Sequence, residues 1–421
     1  MAGAFATGRK QAEIRNEGET RVEMRQEIEQ LIAGEGGVLR LDPALVSRDW
    51  LPPGRRLGLE HQEYDLGERG FVCERWLAST THADNVKGPD DEGISYIRAA
   101  DGRRINLAKA IEAAPDLIMG ADYASTHEGL GRLAKIFDFG ARIPYHIHPP
   151  ADQAALVGRR SKDEAYYFPP DVDMGSHPET FFGVHPYIAR GPREDVLHPY
   201  LQRWNDDAIL QHAFAYKQIA EEGFYIDSGI LHAPGTALTI ELQEDSDTLA
   251  MFQALNAGTI ISKDLLFKDV SNADRAALGE RAVLRWIDWD ANGDPDFYER
   301  RVIRPIPSLQ ADGIEEAWIF CGTRKFSGKR LRLAPGAQMT SIERGVYNLL
   351  VWRGEATVAG ISVRGGRPGD DELLVVHEAA TKPHAIVNSG PGELLIVKFF
   401  GPDINPDAPP AGIRASSTQV S

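Results

Sequence analysis

The chain has 421 residues, with 62 acidic and 46 Lys or Arg side chains and a formal net charge of −16. Its length predicts two or three structural units, and its 42% hydrophobic content excludes a largely disordered chain. The acidic balance argues against nucleic acid or an anionic membrane as a partner, because both attract basic surfaces. Only Cys73 and Cys321 are present, with no apolar leader and no membrane-length apolar run, which predicts a reduced, cytoplasmic protein.

The N-terminal region begins with a helical pattern and then changes to β texture. Met24, Ile28, Leu31 and Ile32 form one apolar stripe, which predicts a helix over residues 9–33. Short β-like runs separated by Gly, Pro and Asp turns follow at spacings of about ten residues, a pattern typical of sandwiches and barrels. The first series comprises Phe71–Ala78, Ile94–Ile97, Leu133–Phe139, Ile143–His148, Glu164–Phe168, Gly223–Ile226, Leu238–Leu242 and Leu249–Phe252.

A second β series occupies the C-terminal third. A helix capped by Ser271 and running to about Trp286 precedes it, and another helix is predicted at Asp206–Ala220. The second series comprises Ala317–Cys321, Leu331–Leu333, Tyr347–Trp352, Ala356–Val363, Leu373–Val376, Ala385–Asn388 and Leu394–Phe400. The predicted units are a helical arm (1–60), a first barrel (61–265) with an insertion (169–222), a helical linker (266–310), a second barrel (311–401) and a flexible tail (402–421).

A group of histidines carries the clearest chemical signal. His146 and His148 are two residues apart, so on a strand both rings point to one face and can reach a single metal ion. Glu164 enters the next apolar run, and His232 follows a later turn. Three imidazoles and one carboxylate suit Zn²⁺, Fe²⁺, Mn²⁺ or Ni²⁺ and leave positions open to water or substrate. The alternative, barrel-lining histidines without metal, would cost free energy if they were buried without partners.

These motifs resemble the paired motifs of the cupin superfamily, and their spacing is similar to that of the type I mannose-6-phosphate isomerases. The similar segments are His146-Ile-His148-Pro149, Lys162-Asp163-Glu164, Gly229-Ile-Leu-His232-Ala233, Glu241, Ser246-Asp247, Glu74-Arg-Trp76 and Leu133-Ala-Lys135. The resemblance covers residues 70–260. It implies a mainly β bicupin, two double-stranded barrels with a helical N-terminal arm and helical insertions and linker.

The resemblance also implies roles for six residues. The implied ligands of one divalent transition metal are His146, His148, Glu164 and His232, with zinc favoured and iron, manganese or nickel as alternatives. Lys162 and Glu241 would be catalytic in an aldose–ketose isomerisation through an enediol, in which the metal polarises the substrate. Glu241 would either be the base or orient a histidine. Without the motif, Lys162 would most often be the solvated surface partner of a glutamate, and Glu241 could equally be the acidic end of the strand Thr239–Leu242.

Two positions depart from the family pattern. Tyr145 stands where the family has a serine that helps to hold phosphate, and the arginine that follows Ser-Asp in the family is missing. An unphosphorylated carbohydrate is therefore an alternative substrate. The alternative functions are another metal-dependent cupin enzyme, such as an iron-dependent dioxygenase, and a non-catalytic sugar-binding bicupin.

A second motif and the second barrel leave further alternatives open. Asp288–Glu299 fits the twelve-residue calcium loop, but it can also be an acidic turn whose side chains cap their own backbone. The second barrel holds His377, His384 and Glu372 but no His-x-His pair, so it is expected to lack a metal and to serve packing or dimerisation. The expected partner is a small carbohydrate, and a homodimer is an option.

Overall fold

Four stacked antiparallel sheets form the framework of the protein in a computed structural model, which describes residues 21–412. A seven-stranded and a five-stranded sheet face each other across Phe137, Phe182 and Phe224, and we call this pair the first barrel. A nine-stranded and a four-stranded sheet face each other across Leu349 and Ile386, and we call this pair the second barrel. The predicted mainly β fold with two strand-rich units is confirmed.

The first barrel carries the predicted histidines and carboxylates. Its seven-stranded sheet contains, in spatial order, β17 (Val302–Ile303), β11 (Gly223–Ile226), β8 (Glu164–Tyr167), β13 (Thr239–Glu244), β6 (Arg132–Phe137), β3 (Phe71–Leu77) and β2 (Ala44–Arg48). Its five-stranded sheet contains β10 (Phe214–Lys217), β9 (Glu179–Phe182), β12 (His232–Ala233), β7 (His146–Ile147) and β14 (Ala250–Met251). A two-stranded ribbon, β15 (Leu255–Asn256) and β16 (Thr259–Ile260), follows.

The second barrel is built mainly from the C-terminal third. Its nine-stranded sheet contains β18 (Ile306–Ala311), β19 (Ile314–Phe320), β20 (Ser327–Leu333), β27 (Leu394–Phe400), β22 (Tyr347–Arg353), β25 (Glu372–Val375), β1 (Val38–Asp42), β4 (Tyr96–Arg98) and β5 (Arg104–Asn106). Its four-stranded sheet contains β21 (Gln338–Ser341), β26 (His384–Asn388), β23 (Glu355–Val358) and β24 (Ile361–Arg364).

Helices fill the connections between the strands. They are α1 (residues 21–34), α2 (Leu107–Ala113), α3 (Pro115–Met119), α4 (Ala121–Ala124), α5 (Ala151–Ala155), α6 (Pro186–Arg190), α7 (Glu194–Arg203), α8 (Asn272–Leu278), α9 (Arg281–Leu284), α10 (Trp289–Asn292), α11 (Phe297–Arg301) and α12 (His377–Ala380). Among residues 21–412, no helix combines the length and the apolar character needed to cross a bilayer.

The two large sheets pack back to back between the barrels. Alternation along β13 shows why: Ile240 and Leu242 enter the core that also holds Phe320 and Phe399 of the second barrel. Glu241, on the opposite face of the same strand, lines a cavity inside the first barrel. One strand therefore supplies the packing between the barrels and a functional side chain inside one of them.

The N-terminal segment differs from the predicted helical arm. Residues 21–34 are helical as predicted, and the rest of the predicted helix, 9–20, lies outside the described residues. After the helix, β1 pairs with β25 of the second barrel and β2 pairs with β3 of the first. Residues 38–48 thus belong to both barrels, because Leu39 of β1 is buried in the core of the second barrel and Val46 of β2 is buried with Trp76 of the first.

The prediction of a helix at Asp206–Ala220 is wrong. That segment has a 3₁₀ turn, Ala208–His212, followed by β10, which pairs with β9. Phe214 and Tyr216 alternate with exposed residues, and their rings contact each other. Aromatic residues at every second position favour a strand, and this pattern outweighs the helical propensity of the segment. The predicted insertion 169–222 therefore contributes two strands to the barrel.

The linker and the tail also show differences. Ser271 caps α8 as predicted, but the helix ends at Gly279, whose φ of +56° suits glycine, and α9 begins separately. The predicted flexible tail begins at Pro402, yet Asp403 donates its backbone N–H to Arg324 and Gly322 donates to Pro409. Residues 402–412 therefore pack against the second barrel, and 413–421 lie outside the described residues.

Candidate metal centre and active site

The three predicted histidines meet inside the first barrel. His146 on β7 pairs in register with His232 on β12, and His148 lies just beyond the end of β7. Their ring centroids are 4.1 to 5.1 Å apart, and all three side chains are buried. Within residues 21–412, they form the single group of three or more potential metal ligands whose ligand atoms lie within 4.8 Å of one another.

Backbone carbonyls fix the orientation of each imidazole. The Nδ1 atoms of His146, His148 and His232 lie 2.7, 2.7 and 2.9 Å from the carbonyl oxygens of Pro144, Thr248 and Ile230 respectively. A carbonyl oxygen can only accept, so each Nδ1 carries the proton and, in the neutral ring, each Nε2 presents a lone pair to the centre. Histidine ligands of metals are oriented in this way.

Glu164 on β8 lies directly against two of these imidazoles. Its Oε2 is 3.0 Å from His148 Nε2 and its Oε1 is 3.0 Å from His232 Nε2. Burial and the nearby charge of Lys162 lower the pKa of His148 to about 3, and burial and the neighbouring imidazoles hold the pKa of His146 well below its ordinary value. Carboxylate oxygens thus face nitrogen lone pairs at 3.0 Å, an arrangement that a bound cation would stabilise. The donor set fits a divalent metal.

Two lysines surround the carboxylates on the seven-stranded sheet. Lys162 Nζ lies 2.9 Å from Glu164 Oε2 and 3.5 Å from Glu241 Oε1, and Lys135 Nζ lies 3.3 Å from Glu241 Oε2. Burial and the negative charge of Glu164 raise the pKa of Glu241 to about 8, although the lysines oppose this shift. The pKa of Lys162 is raised because its two carboxylate partners outweigh the burial of its ammonium group. The site therefore holds a buried carboxyl group between two ammonium groups.

A second set of charges extends this network to strand β2. Arg48 Nε donates to Glu74 at 2.7 Å, and Arg48 Nη2 lies 3.2 Å from Asp247 Oδ1. Lys135 Nζ is 3.7 Å from Glu74 Oε2, so the guanidinium is linked through Glu74 to the lysine beside Glu241. Sequence reasoning missed Arg48, because a single arginine at the end of a short strand has no motif.

His146, His148 and the charged groups line one cavity of about 40 Å³. Its apolar wall includes Trp50, Phe137, Phe139 and Tyr166, and the Trp50 and Phe139 rings stack with centroids 6.1 Å apart. Tyr166 donates its hydroxyl to Glu164, whereas Tyr167 points away and packs near Phe320. The two tyrosines therefore alternate as expected for a strand, one toward the cavity and one toward the core between the barrels.

All six predicted site residues are brought together. The predicted calcium loop, Asp288–Glu299, instead uses side chains to bind backbone groups. Asp288 caps α10 by accepting from the Ala291 backbone N–H at 3.0 Å. The buried Asn292 donates to the carbonyls of Gly229 and Asp288, both at 2.7 Å, and accepts from Leu231 N. These contacts match the alternative to a calcium loop, an acidic turn whose side chains form hydrogen bonds with backbone groups. Asn292 also supports the turn that leads into His232.

Comparison with known proteins identifies the fold. No protein-family model and no curated protein matches the sequence. The mannose 6-phosphate isomerase of Bacillus subtilis aligns with a TM-score of 0.60 and 16% identity, over 86% of this chain and 99% of its own. A variant of the phosphomannose isomerase of Salmonella typhimurium aligns with a TM-score of 0.58 and 12% identity, over 87% of this chain and all of its own. The chain has the fold of the mannose-6-phosphate isomerases. The mannose-6-phosphate isomerase-like fold implied by the sequence motifs is thereby confirmed.

Proposed function

We propose that this protein is a metal-dependent aldose–ketose isomerase of the mannose-6-phosphate isomerase type. The observation that carries the proposal is that three buried imidazoles meet beside Glu164, whose carboxylate also contacts Lys162, the neighbour of Glu241. His146, His148, Glu164 and His232 would hold the ion, with zinc favoured and iron, manganese or nickel as alternatives. When bound, a divalent metal in this site would polarise the carbonyl of an aldose or ketose.

The chain's own residues would move the proton. In an aldose, a base removes the proton from C2 and a proton is returned to C1, while a hydroxyl proton passes between the two oxygens. Glu241 Oε1 makes no hydrogen bond and lies 3.5 Å from Lys162 Nζ, so the pair can accept and return a proton. Lys135 would position Glu241 from the opposite side, since it contacts the other carboxylate oxygen.

Metal content and isomerisation together test the proposal. The purified protein is analysed for bound metal and assayed for interconversion of mannose and fructose, with and without the 6-phosphate. We expect one divalent ion per chain, turnover of at least one sugar pair, and loss of both in His148→Ala and Glu164→Ala. Oxygen uptake without isomerisation would favour the dioxygenase alternative. Sugar binding without any turnover would favour the non-catalytic bicupin.

Other features of the proposal concern the setting of the enzyme. A cytoplasmic location, a homodimer and a division into two barrels joined by a helical linker at residues 266–310 are part of it. Strands β1 and β2 are separated by a single residue, Pro43, yet they pair with different barrels. This connection favours a chain whose two barrels fold together.

A further inference from the structure

A cleft of about 300 Å³ lies between the two barrels. Leu57, Ile136 and Leu238 line it from the first barrel, and Leu350 and Trp352 line it from the second. All five side chains belong to the apolar core between the barrels or pack against it. Small-molecule sites have volumes of roughly 300 to 1,000 Å³ and occur preferentially where domains meet. The cleft therefore has both the size and the location of a ligand site.

The charged side chains that line the cleft are all paired. Each has a partner of opposite charge, at N–O distances of 2.6, 2.7 and 2.7 Å. The pairs are Arg75–Asp371, Arg353–Asp171 and Arg56–Asp138. A charged ligand buried beside them would have no free counter-ion, and an unpaired buried charge is costly. The cleft therefore favours an uncharged ligand.

Arg75 offers one hydrogen-bond donor to such a ligand. Its Nη1 and Nη2 atoms donate to Asp371 and Glu372, whereas its buried Nε–H makes no hydrogen bond to any residue within the described range 21–412. The side chain is only 2% exposed, so bulk water does not replace the partner. A buried donor without a partner is unfavourable, and an acceptor atom on a ligand would satisfy it.

Trp352 gives the cleft an aromatic wall. The side chain is half-buried and packs against the core between the barrels. Aromatic rings pack favourably on one another, so this wall suits a flat ring. The Arg353–Asp171 pair, 40% and 80% exposed, connects the two barrels at the solvent side of the cleft. Such an exposed pair contributes little to stability, so it presents a small barrier to ligand entry.

The cleft lies directly behind one wall of the metal cavity. Arg75 on β3 and Ile136 on β6 are paired in register, and both line the cleft. The next residues on these strands, Glu74 and Lys135, occupy the opposite face of the sheet and line the metal cavity. A ligand that contacts Arg75 and Ile136 therefore touches the two strands that hold charged groups beside Glu241.

We propose that this cleft binds a small uncharged aromatic or heteroaromatic compound that carries a carbonyl acceptor, and that its occupancy alters the metal cavity through β3 and β6. The acceptor takes the Nε–H of Arg75, and the ring packs on Trp352 and on apolar side chains such as Leu350. Binding in the cleft does not depend on the proposed isomerase activity.

Three probes of nearly equal size test the site: benzamide, benzoate and benzylamine, which share a ring and differ in charge. Their dissociation constants are measured by NMR titration of the metal-loaded wild type, Trp352→Leu and Leu238→Trp. We expect benzamide to bind the wild type with a Kd on the order of 1 mM, and roughly fivefold more tightly than either charged probe. Trp352→Leu should weaken binding about threefold to tenfold because the ring contact is lost. Leu238→Trp should abolish binding because the larger side chain fills the cleft.

Trp318→Leu is the matched control. Trp318 is also half-buried against the core between the barrels, but it does not line the cleft, so this variant should keep the wild-type affinity. Absence of benzamide binding, equal binding of benzoate, or unchanged affinity in Trp352→Leu would each overturn the site. Trp352→Leu decides alone if Leu238→Trp does not fold.

The link to the metal cavity has its own measurement. In an enzyme that isomerises a sugar, saturating benzamide should change kcat/KM by roughly twofold or more, and Trp352→Leu should reduce this effect at the same benzamide concentration. If no sugar is isomerised, the link is measured as a change in Zn²⁺ affinity, by chelator competition with and without benzamide. An unchanged value in the applicable measurement would overturn the link. Failure of the isomerase proposal leaves the binding test intact.

Discussion

Glu241 combines complete burial with two ammonium partners, and this setting defines the first prediction. Glu241→Gln keeps the size of the side chain but removes its ability to accept a proton between Lys135 and Lys162. Because positioned acid–base groups contribute about 10²–10⁴-fold to rate, we expect kcat for sugar isomerisation to fall by that range. Bound metal, measured on the same sample, should stay at the wild-type level, since Glu241 is not one of the proposed ligands.

A matched change at a solvent-exposed glutamate provides the control. Glu378 is 74% exposed and pairs with Lys382, so Glu378→Gln should leave both kcat and metal content at the wild-type level. A Glu241→Gln enzyme whose kcat stays within threefold of the wild type would remove Glu241 from the proton-transfer step. Loss of metal together with activity would instead assign it a role in holding the ion.

Individual residues of the site differ in how far the sequence reveals them. His146, His148, Glu164 and His232 could be predicted because metal chemistry demands particular side chains at particular spacings. Arg48 reaches the same cavity by the pairing of β2 with β3, and its partners Glu74 and Asp247 are distant in sequence. No spacing rule links such residues, so only the folded chain brings them together.

At the scale of elements, the turn that carries Asn292 supports the strand that carries His232. Asn292 is fully buried and uses its amide for three hydrogen bonds, one of them to Leu231, the neighbour of His232. Asn292→Ala leaves backbone groups without partners, at a cost of about 1–3 kcal/mol for a buried group. We expect a lower thermal midpoint and weaker metal retention during dialysis against a chelator.

A calcium titration tests whether the same turn binds Ca²⁺. Because Asn292 and Asp288 already bind backbone groups, millimolar Ca²⁺ should leave the wild-type thermal midpoint unchanged. Asp290 is exposed at the start of α10, and Asp290→Asn should behave like the wild type with or without Ca²⁺. A calcium-induced rise in the midpoint that Asp290→Asn abolishes would show that the loop binds the ion.

Elements with one dominant signal could be predicted, and those with competing signals could not. The core of β11, Gly223–Ile226, matches the expected strand because its residues are apolar and turns bound it on both sides. The segment around Phe214 has helix-compatible residues, and pairing with β9 decides its structure. Such pairing depends on a partner more than thirty residues away, which local propensity does not include.

The whole molecule is held together by the two large sheets and by a buried ionic cluster between the barrels. Arg75 on β3 contacts Asp371 at 2.6 Å and Glu372 at 3.1 Å. Glu372 is the first residue of β25 in the second barrel, and Asp371 directly precedes it. Two barrels could be predicted from two series of strands, but their back-to-back packing could not. It requires that both outer faces be apolar, as Ile136 and Val397 are, while alternate residues serve the inside of each barrel.

The cluster between the barrels predicts a pH dependence of stability. Burial, together with the negative charge of Asp371, raises the pKa of Glu372 to about 7, although Arg75 opposes the shift. Between its unfolded value near 4.5 and about 7, the folded chain keeps a proton that the unfolded chain has released. The contribution of Glu372 to stability is therefore full below about pH 4.5 and is lost as the pH rises through 7, by at most about 3 kcal/mol.

Thermal midpoints measured from pH 5 to pH 8 should fall more steeply for the wild type than for Glu372→Gln, whose amide does not titrate. Glu393→Gln, a change at a half-exposed surface glutamate, should follow the wild-type curve. Parallel curves for the wild type and Glu372→Gln would show that Glu372 is ionised throughout this range in the folded protein, and that Arg75 outweighs its burial.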